Sequence, residues 1–383
     1  MLTQYADPPM VAAPAAPADK RYLYGPVVDF LCLGGSSLFV LPLLLLVPAE
    51  QYRASVAALM LLVAHFINHP HFGHSYQIFY RRFRTKAFTP SLGRTMQARY
   101  VFAGIIVPVM LVAFCAYAIA RGDARLLGLG GNFMALFVGW HYVKQGYGML
   151  MVDAALKRRF FNDREKKIFL VNCYAVWGYA WLSINATMRE TEMWGLHYYS
   201  FAIPAPIVTA AAILALMAGA ATLWTFAKRW RSAGSLPANG VMAYLVSLYL
   251  WLAFVRINPL WLLVVPAFHS LQYLVVVWRY QSNYEKAQLA TDVYKKGSLA
   301  RAIFGDHWRA HLGIFAVSGV ALGFLGFWGL PLLAKAYVPY DAKLFGGALF
   351  LFVFWIAINV HHYFLDNVMW RRENPDTRRY LFG

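Results

Sequence analysis

Apolar runs long enough to cross a bilayer recur along the whole chain. Val101 to Ala120 and Ile168 to Met188 carry no formal charge. At about 1.5 Å of rise per residue, either run crosses a hydrocarbon core of about 30 Å as a helix. The same patterning predicts ten spans, at 27–48, 54–80, 101–120, 132–153, 168–186, 205–226, 241–255, 260–278, 312–334 and 343–366. The expected fold is all-α, a polytopic transmembrane helix bundle of about ten helices. Pro70 predicts a kink in the second span, because proline removes a helical hydrogen bond and its ring clashes with the preceding turn. The seventh span is short enough to tilt or to be re-entrant. Residues 1–21, rich in Ala and Pro, read as a flexible tail without the layout of a signal peptide. Residues 22–371 read as the transmembrane helical domain and 372–383 as a cytoplasmic C-terminal tail.

Composition sharpens this reading. Hydrophobic residues make up 60% of the 383 and charged residues 14%, against about 25% charged in soluble domains, which excludes Rossmann, TIM-barrel and DNA-binding architectures. The net charge of +18 is unevenly placed. Of 35 Lys and Arg, 27 fall in the N-terminus, loops 81–100, 157–167, 228–240 and 279–311, and the C-terminus. By the positive-inside rule both termini are expected in the cytoplasm, with an even number of crossings. The basic loops then report topology rather than a nucleic-acid partner, and the acid-free loop 81–100 is expected to rest on anionic lipid. The setting implied is a bacterial-type inner (plasma) membrane. Cys32, Cys115 and Cys173 lie in separate apolar segments with no CxxC, so neither a disulfide framework nor a thiolate metal site is implied.

The histidines carry the chemical signal. Eight of the eleven fall in even-numbered spans: His65, His69, His71 and His74 in the second, His141 in the fourth, His269 in the eighth, and His361 and His362 in the tenth. These spans all run from the outer to the cytoplasmic side, and their histidines lie between the midplane and the inner leaflet. Polar rings in hydrocarbon are costly unless paired or coordinated, so four helices aiming imidazoles at one chamber suggests a bound metal. His65 and His69, four apart, share a helix face. A kink at Pro70 would re-aim His71 and His74, and of the adjacent His361 and His362 only one is expected to face a given centre. The expected core ligands are His65, His69, His141, His269 and His362, with His71, His74 and His361 next. Asp366, Gln145 and Gln272 are expected to orient them, with Asp366 a possible ligand, and Lys144 to stabilise negative charge or bind an anionic headgroup. His74-Ser-Tyr-Gln77 and His269-Ser-Leu-Gln272 share an HS-x-Q pattern, too short to establish a repeat. His197, His307 and His311 lie in or near loops and need no special role.

Imidazole and carboxylate donors favour Fe, Cu, Zn or Ni over Mg or Ca. Zinc hydrolysis lacks a visible acid–base partner, and copper lacks paired Met or Cys. Iron with oxygen chemistry fits best, mononuclear or di-iron. The number and clustering of the histidines resemble the membrane di-iron desaturases and hydroxylases, with His65-x3-His69 similar to their first box; His361-His362, however, has no His three residues before it. His71-Phe72-Gly73 and Phe268-His269-Ser270 resemble segments of the Brp/Blh-type membrane carotenoid dioxygenases, with Tyr273 standing where a second histidine would fall. These resemblances imply an integral-membrane oxygenase acting on a lipid or isoprenoid, an apolar small-molecule substrate, supplied by an electron-donor protein and surrounded by membrane lipids. The alternatives are a haem-binding electron carrier with axial histidines, a transporter with a histidine-lined pathway, and a structural assembly factor.

Overall fold

The apolar runs fold as helices close to where the sequence places them. The computed structural model describes residues 21–89, 92–187, 191–193, 196–254, 257–258, 260–290 and 307–382. Its elements are α1 (Pro26–Leu46), α2 (Ala49–Tyr80), α3 (Phe83–Phe88), α4 (Arg94–Ala120), α5 (Ala124–Leu156), α6 (Asp163–Thr187), α7 (Ala205–Ala233), α8 (Ala238–Ala253), α9 (Trp261–Ala290), α10 (Trp308–Tyr337), α11 (Ala342–Phe345), α12 (Leu349–Met369) and α13 (Pro375–Phe382). A two-stranded antiparallel hairpin, β1 (Thr191–Met193) with β2 (Leu196–Tyr198), lies between α6 and α7 and pairs Thr191 with Tyr198.

Among the described residues, eight helices are long and apolar enough to cross a membrane: α1, α2, α4, α5, α7, α9, α10 and α12. The chain is an integral membrane helix bundle. The two other expected spans are also helical. However, α6 opens on the charged run Asp163 to Lys167, and α8 is short and ends in a π-helical stretch, Val246–Ala253. The tenth span begins at Leu349 rather than at 343, after the short α11 whose first N–H groups are capped by Asp341. The C-terminal tail folds as α13, where Thr377 donates to the Met369 carbonyl and Tyr380 packs edge-on against Tyr280 and Tyr284. Of the sequence expectations, residues 1–20 of the N-terminal tail, the 291–306 stretch of the basic loop, Arg189, Arg256 and the His197 side chain lie outside the described residues.

Pro70 acts one turn upstream of itself. Helix α2 breaks between Ala49–Ala64 and Asn68–Tyr80. The N–H groups of His65 and Phe66 drop back to carbonyls three residues earlier, at 3.3 and 3.1 Å. A proline ring clashes with the carbonyl four residues before it, here that of Phe66, so the chain turns there. The downstream half of α2 then packs against α9, α10 and α12, and α12 packs in turn on α5.

Helix α10 sits unusually close to that half of α2. A Cβ on Gly319 would collide with the His74 ring, one on Gly73 with the Gly319 carbonyl, and one on Gly323 would lie 2.6 Å from the His69 backbone. Gly319 and Gly323 form the small-xxx-small stripe that lets membrane helices approach backbone to backbone. Gly319→Leu is expected to lower stability by about 1–3 kcal/mol through overpacking, read as a drop in melting temperature in detergent or nanodiscs.

At the basic end, Lys86 on α3 reaches Asp376 on α13 at 3.6 Å. Burial pushes the Lys86 ammonium down to about 8, against the opposing pull of Asp376. An unfolded lysine titrates near 10.4, so between about pH 8 and pH 10.4 the unfolded chain holds more protons and this group makes the fold more stable as pH rises. Melting curves across that window should rise less steeply for Lys86→Met than for the parent protein.

Candidate metal centre

Three helices deliver polar side chains of the interior to one point. His71 comes from α2, His141 from α5, and His362 and Asp366 from α12. One ligand atom from each lies within 4.8 Å of all the others. The Nε2 atoms of His141 and His362 face each other at 3.2 Å, and the Asp366 Oδ2 is 3.4 Å from His362 and 3.8 Å from His141. Donors bonded at about 2.1 Å to one transition-metal ion stand roughly 3.0–3.4 Å apart in octahedral or tetrahedral geometry. The spacings among His141, His362 and Asp366 are close to that range, His71 completes the group within 4.8 Å, and all four side chains are buried.

The hydrogen bonds around the group fix the ring states. Ser270 on α9 donates its single hydroxyl proton to Asn68 Oδ1 at 2.7 Å. Its oxygen therefore accepts from His71 Nδ1–H at 3.0 Å. That tautomer leaves His71 Nε2 a bare lone pair, and this atom is buried without a protein partner. Asp366 is held from its other side, with Tyr273 Oη donating to Oδ1 at 2.9 Å and sharing a 2.7 Å bond with Ser75. A ligand histidine braced through its second nitrogen and a braced carboxylate form the outer support typical of metal sites.

His269 completes the cluster differently. Its ring stacks on Tyr142 at 3.9 Å and meets His141 and His71 edge-on, at centroid distances of 4.8 and 5.2 Å. Both of its nitrogens are buried without a partner, as is His362 Nδ1.

The remaining predicted residues stand elsewhere. His65 and His69 are not brought to the centre. His69 and His71 are two residues apart, about 200° around the helix, so with His71 facing inward His69 faces α10. There the His69 ring stacks on Phe327 at 4.5 Å and the His65 ring on Trp328 at 5.8 Å, while His65 Nδ1 donates to the Leu61 carbonyl at 2.8 Å. His74 stacks on Phe315 and bonds Gln77 at 2.7 Å, with Trp278 donating to its other nitrogen at 3.4 Å. His361 turns away from its neighbour, toward the Tyr76 hydroxyl at 2.9 Å and the Ala103 carbonyl at 3.0 Å. Lys144 is exposed on the outside of α5, its Nζ near the rings of Tyr147 and Trp140.

Gln145 and Gln272 brace backbone rather than rings. Gln145 donates to the His269 carbonyl and to Gln272 Oε1, and Gln272 donates to the Leu33 carbonyl of α1. The matching HS-x-Q stretches thus diverge, because Gln77 bonds its own histidine whereas Gln272 bonds α1. Sequence reasoning placed His71 in the second rank and assigned no role to Ser270, Tyr273, Asn68 or Ser75. The offset of Tyr273 from His269, one helical turn further along α9, was the available signal.

Ser270→Ala removes the acceptor that sets the His71 tautomer. Metal affinity is expected to fall roughly 10–100-fold, the usual effect of losing such a brace, measured by metal-ion titration of the purified protein. No protein-family model, curated protein or solved structure matches the chain.

Proposed function

We propose that this chain is an integral-membrane, metal-dependent oxygenase whose centre is held by His71, His141, His362 and Asp366, with His269 against it. The observation that carries the reading is the convergence of those four ligand atoms within 4.8 Å, inside helices long and apolar enough to cross a membrane. Three imidazoles and one carboxylate suit a divalent transition metal, and a site built from several histidines with a single carboxylate is a familiar setting for iron. Bound iron would supply the activation of dioxygen. The chain's own residues do the rest. Ser270 presents His71 Nε2 as a lone pair, Tyr273 anchors Asp366, and the surrounding aromatic rings keep water away from the centre. A lipid or isoprenoid is the substrate class that the setting admits, since such molecules reach a buried site from the bilayer.

In this reading α6 and α8 also cross, giving ten spans with both termini cytoplasmic, in a bacterial-type inner membrane, and an electron-donor protein approaches from the basic side.

Elemental analysis of purified protein tests the proposal. Iron is expected at a fixed ratio to the chain, lost in His141→Ala and Asp366→Ala and kept in His65→Ala and His361→Ala. Active preparations without iron, or equal metal content in all four variants, would overturn it.

A further inference from the structure

A line of aromatic rings runs from the centre to the basic end of the protein. Tyr273 lies 4.3 Å from the His71 ring and 5.6 Å from that of His362. Trp370 follows at 5.8 Å, Tyr280 at a further 5.6 Å, Tyr380 at 5.5 Å and Tyr284 at 5.1 Å. The line ends under two cations, with the Arg81 guanidinium 3.9 Å over Tyr284 and that of Arg379 5.3 Å over Tyr380. Positions 273, 280 and 284 are seven and four apart and therefore share one face of α9. Trp370, just beyond α12, and Tyr380 on α13 fill the gaps between them.

Packing alone does not call for this choice of residues. Phe is the most frequent aromatic in the chain, at 28 against 24 Tyr and 13 Trp, and Phe79 and Phe315 pack in the same core cluster. Every ring in the line is nevertheless Tyr or Trp, the two aromatic side chains that release an electron most readily. The first of them is hydrogen-bonded to a carboxylate.

We propose that this line is an electron relay joining the buried centre to the basic face. The proposal rests on the oxygenase reading for its oxidant, a one-electron oxidant formed at the metal from dioxygen. One electron passes from Tyr273 to that oxidant, and the phenol proton moves along its existing hydrogen bond to Asp366 Oδ1. Electrons then step inward from Tyr284 through Tyr380, Tyr280 and Trp370 to Tyr273, each ring giving up and regaining one electron. The vacancy at the outer end is filled by an external one-electron reductant of the flavin or iron–sulfur class. As Tyr273 regains its electron the proton returns from Asp366, so the net change is one electron carried from donor to oxidant. The basic end suits an acidic donor, and the relay also drains an oxidising equivalent left without substrate.

The relay is tested apart from the metal. Chelator-treated protein in nanodiscs is exposed to photo-oxidised ruthenium tris-bipyridine, and tyrosyl radical is followed by electron paramagnetic resonance. Radical is expected in the parent protein, with its Tyr273 component lost in Tyr273→Phe and in Trp370→Phe. Tyr76→Phe, off the line beside His361, should keep the full signal, and melting temperatures show that each variant is folded. An unchanged signal in Tyr273→Phe and Trp370→Phe overturns the relay whether or not the protein holds iron. Loss of the signal in both supports it even if elemental analysis finds another metal.

Discussion

The interior of this bundle depends on sharing the burden of buried polar groups. An imidazole or carboxylate inside hydrocarbon costs several kcal/mol if it stands alone, and five such groups from α2, α5, α9 and α12 are gathered in one cluster. Within the cluster, His71 and Asp366 are the two that neighbouring side chains brace. Ser270, Asn68, Tyr273 and Ser75 supply that bracing. Elsewhere in the cluster His71 Nε2, both His269 nitrogens and His362 Nδ1 have no hydrogen-bond partner. The four helices are held in register by that cluster and by the Gln145–Gln272 link, which ties α5 and α9 to the backbone of α1.

The break in α2 is what makes the cluster possible. A continuous helix would carry His65, His69 and His71 past the centre at a fixed phase. The proline turns the chain before Asn68, so the downstream half lies flat against α10 along the Gly73–Gly319 contact. Close approach on one face of α2 sets the angle of the other, and that other face presents His71. Stability and site geometry meet here in the same few residues.

Much of this was legible in the sequence, and the reasons for the rest are physical. Helix positions follow from apolar run length, which a bilayer enforces strictly, and the adjacent pair His361–His362 had to diverge by about 100°. What failed was the choice between His69 and His71. Four-residue spacing favours His65 with His69, but spacing reports which residues share a face and not which neighbour that face meets. The decision lay with Gly319 and Gly323, some 250 residues away along the chain, whose lack of side chains draws α10 onto the His69 face. Lys144 likewise stands away from the centre. Its neighbour His141 points inward, and Lys144, about 60° further around the helix, falls on the exposed flank of α5. The docking of α13 escaped notice because a short polar stretch after a basic cluster carries no periodic apolar signal, although Tyr380 and Leu381 are buried.

The buried histidines divide into two groups by their hydrogen bonds. His74 and His361, buried at positions away from the centre, have protein partners at both ring nitrogens. His71, His269 and His362, buried to a similar degree, leave Nε2, both nitrogens and Nδ1 respectively without one. Burial and helix environment are matched between the two groups, so neither explains the contrast. His69 also leaves one nitrogen unpartnered, yet it stands against Phe327 with no carboxylate beside it. Among the described residues, it is at the centre that the unpartnered His71 Nε2 stands within 4.8 Å of ligand atoms of two further imidazoles and of a carboxylate held from behind. Such a group could hold a metal ion.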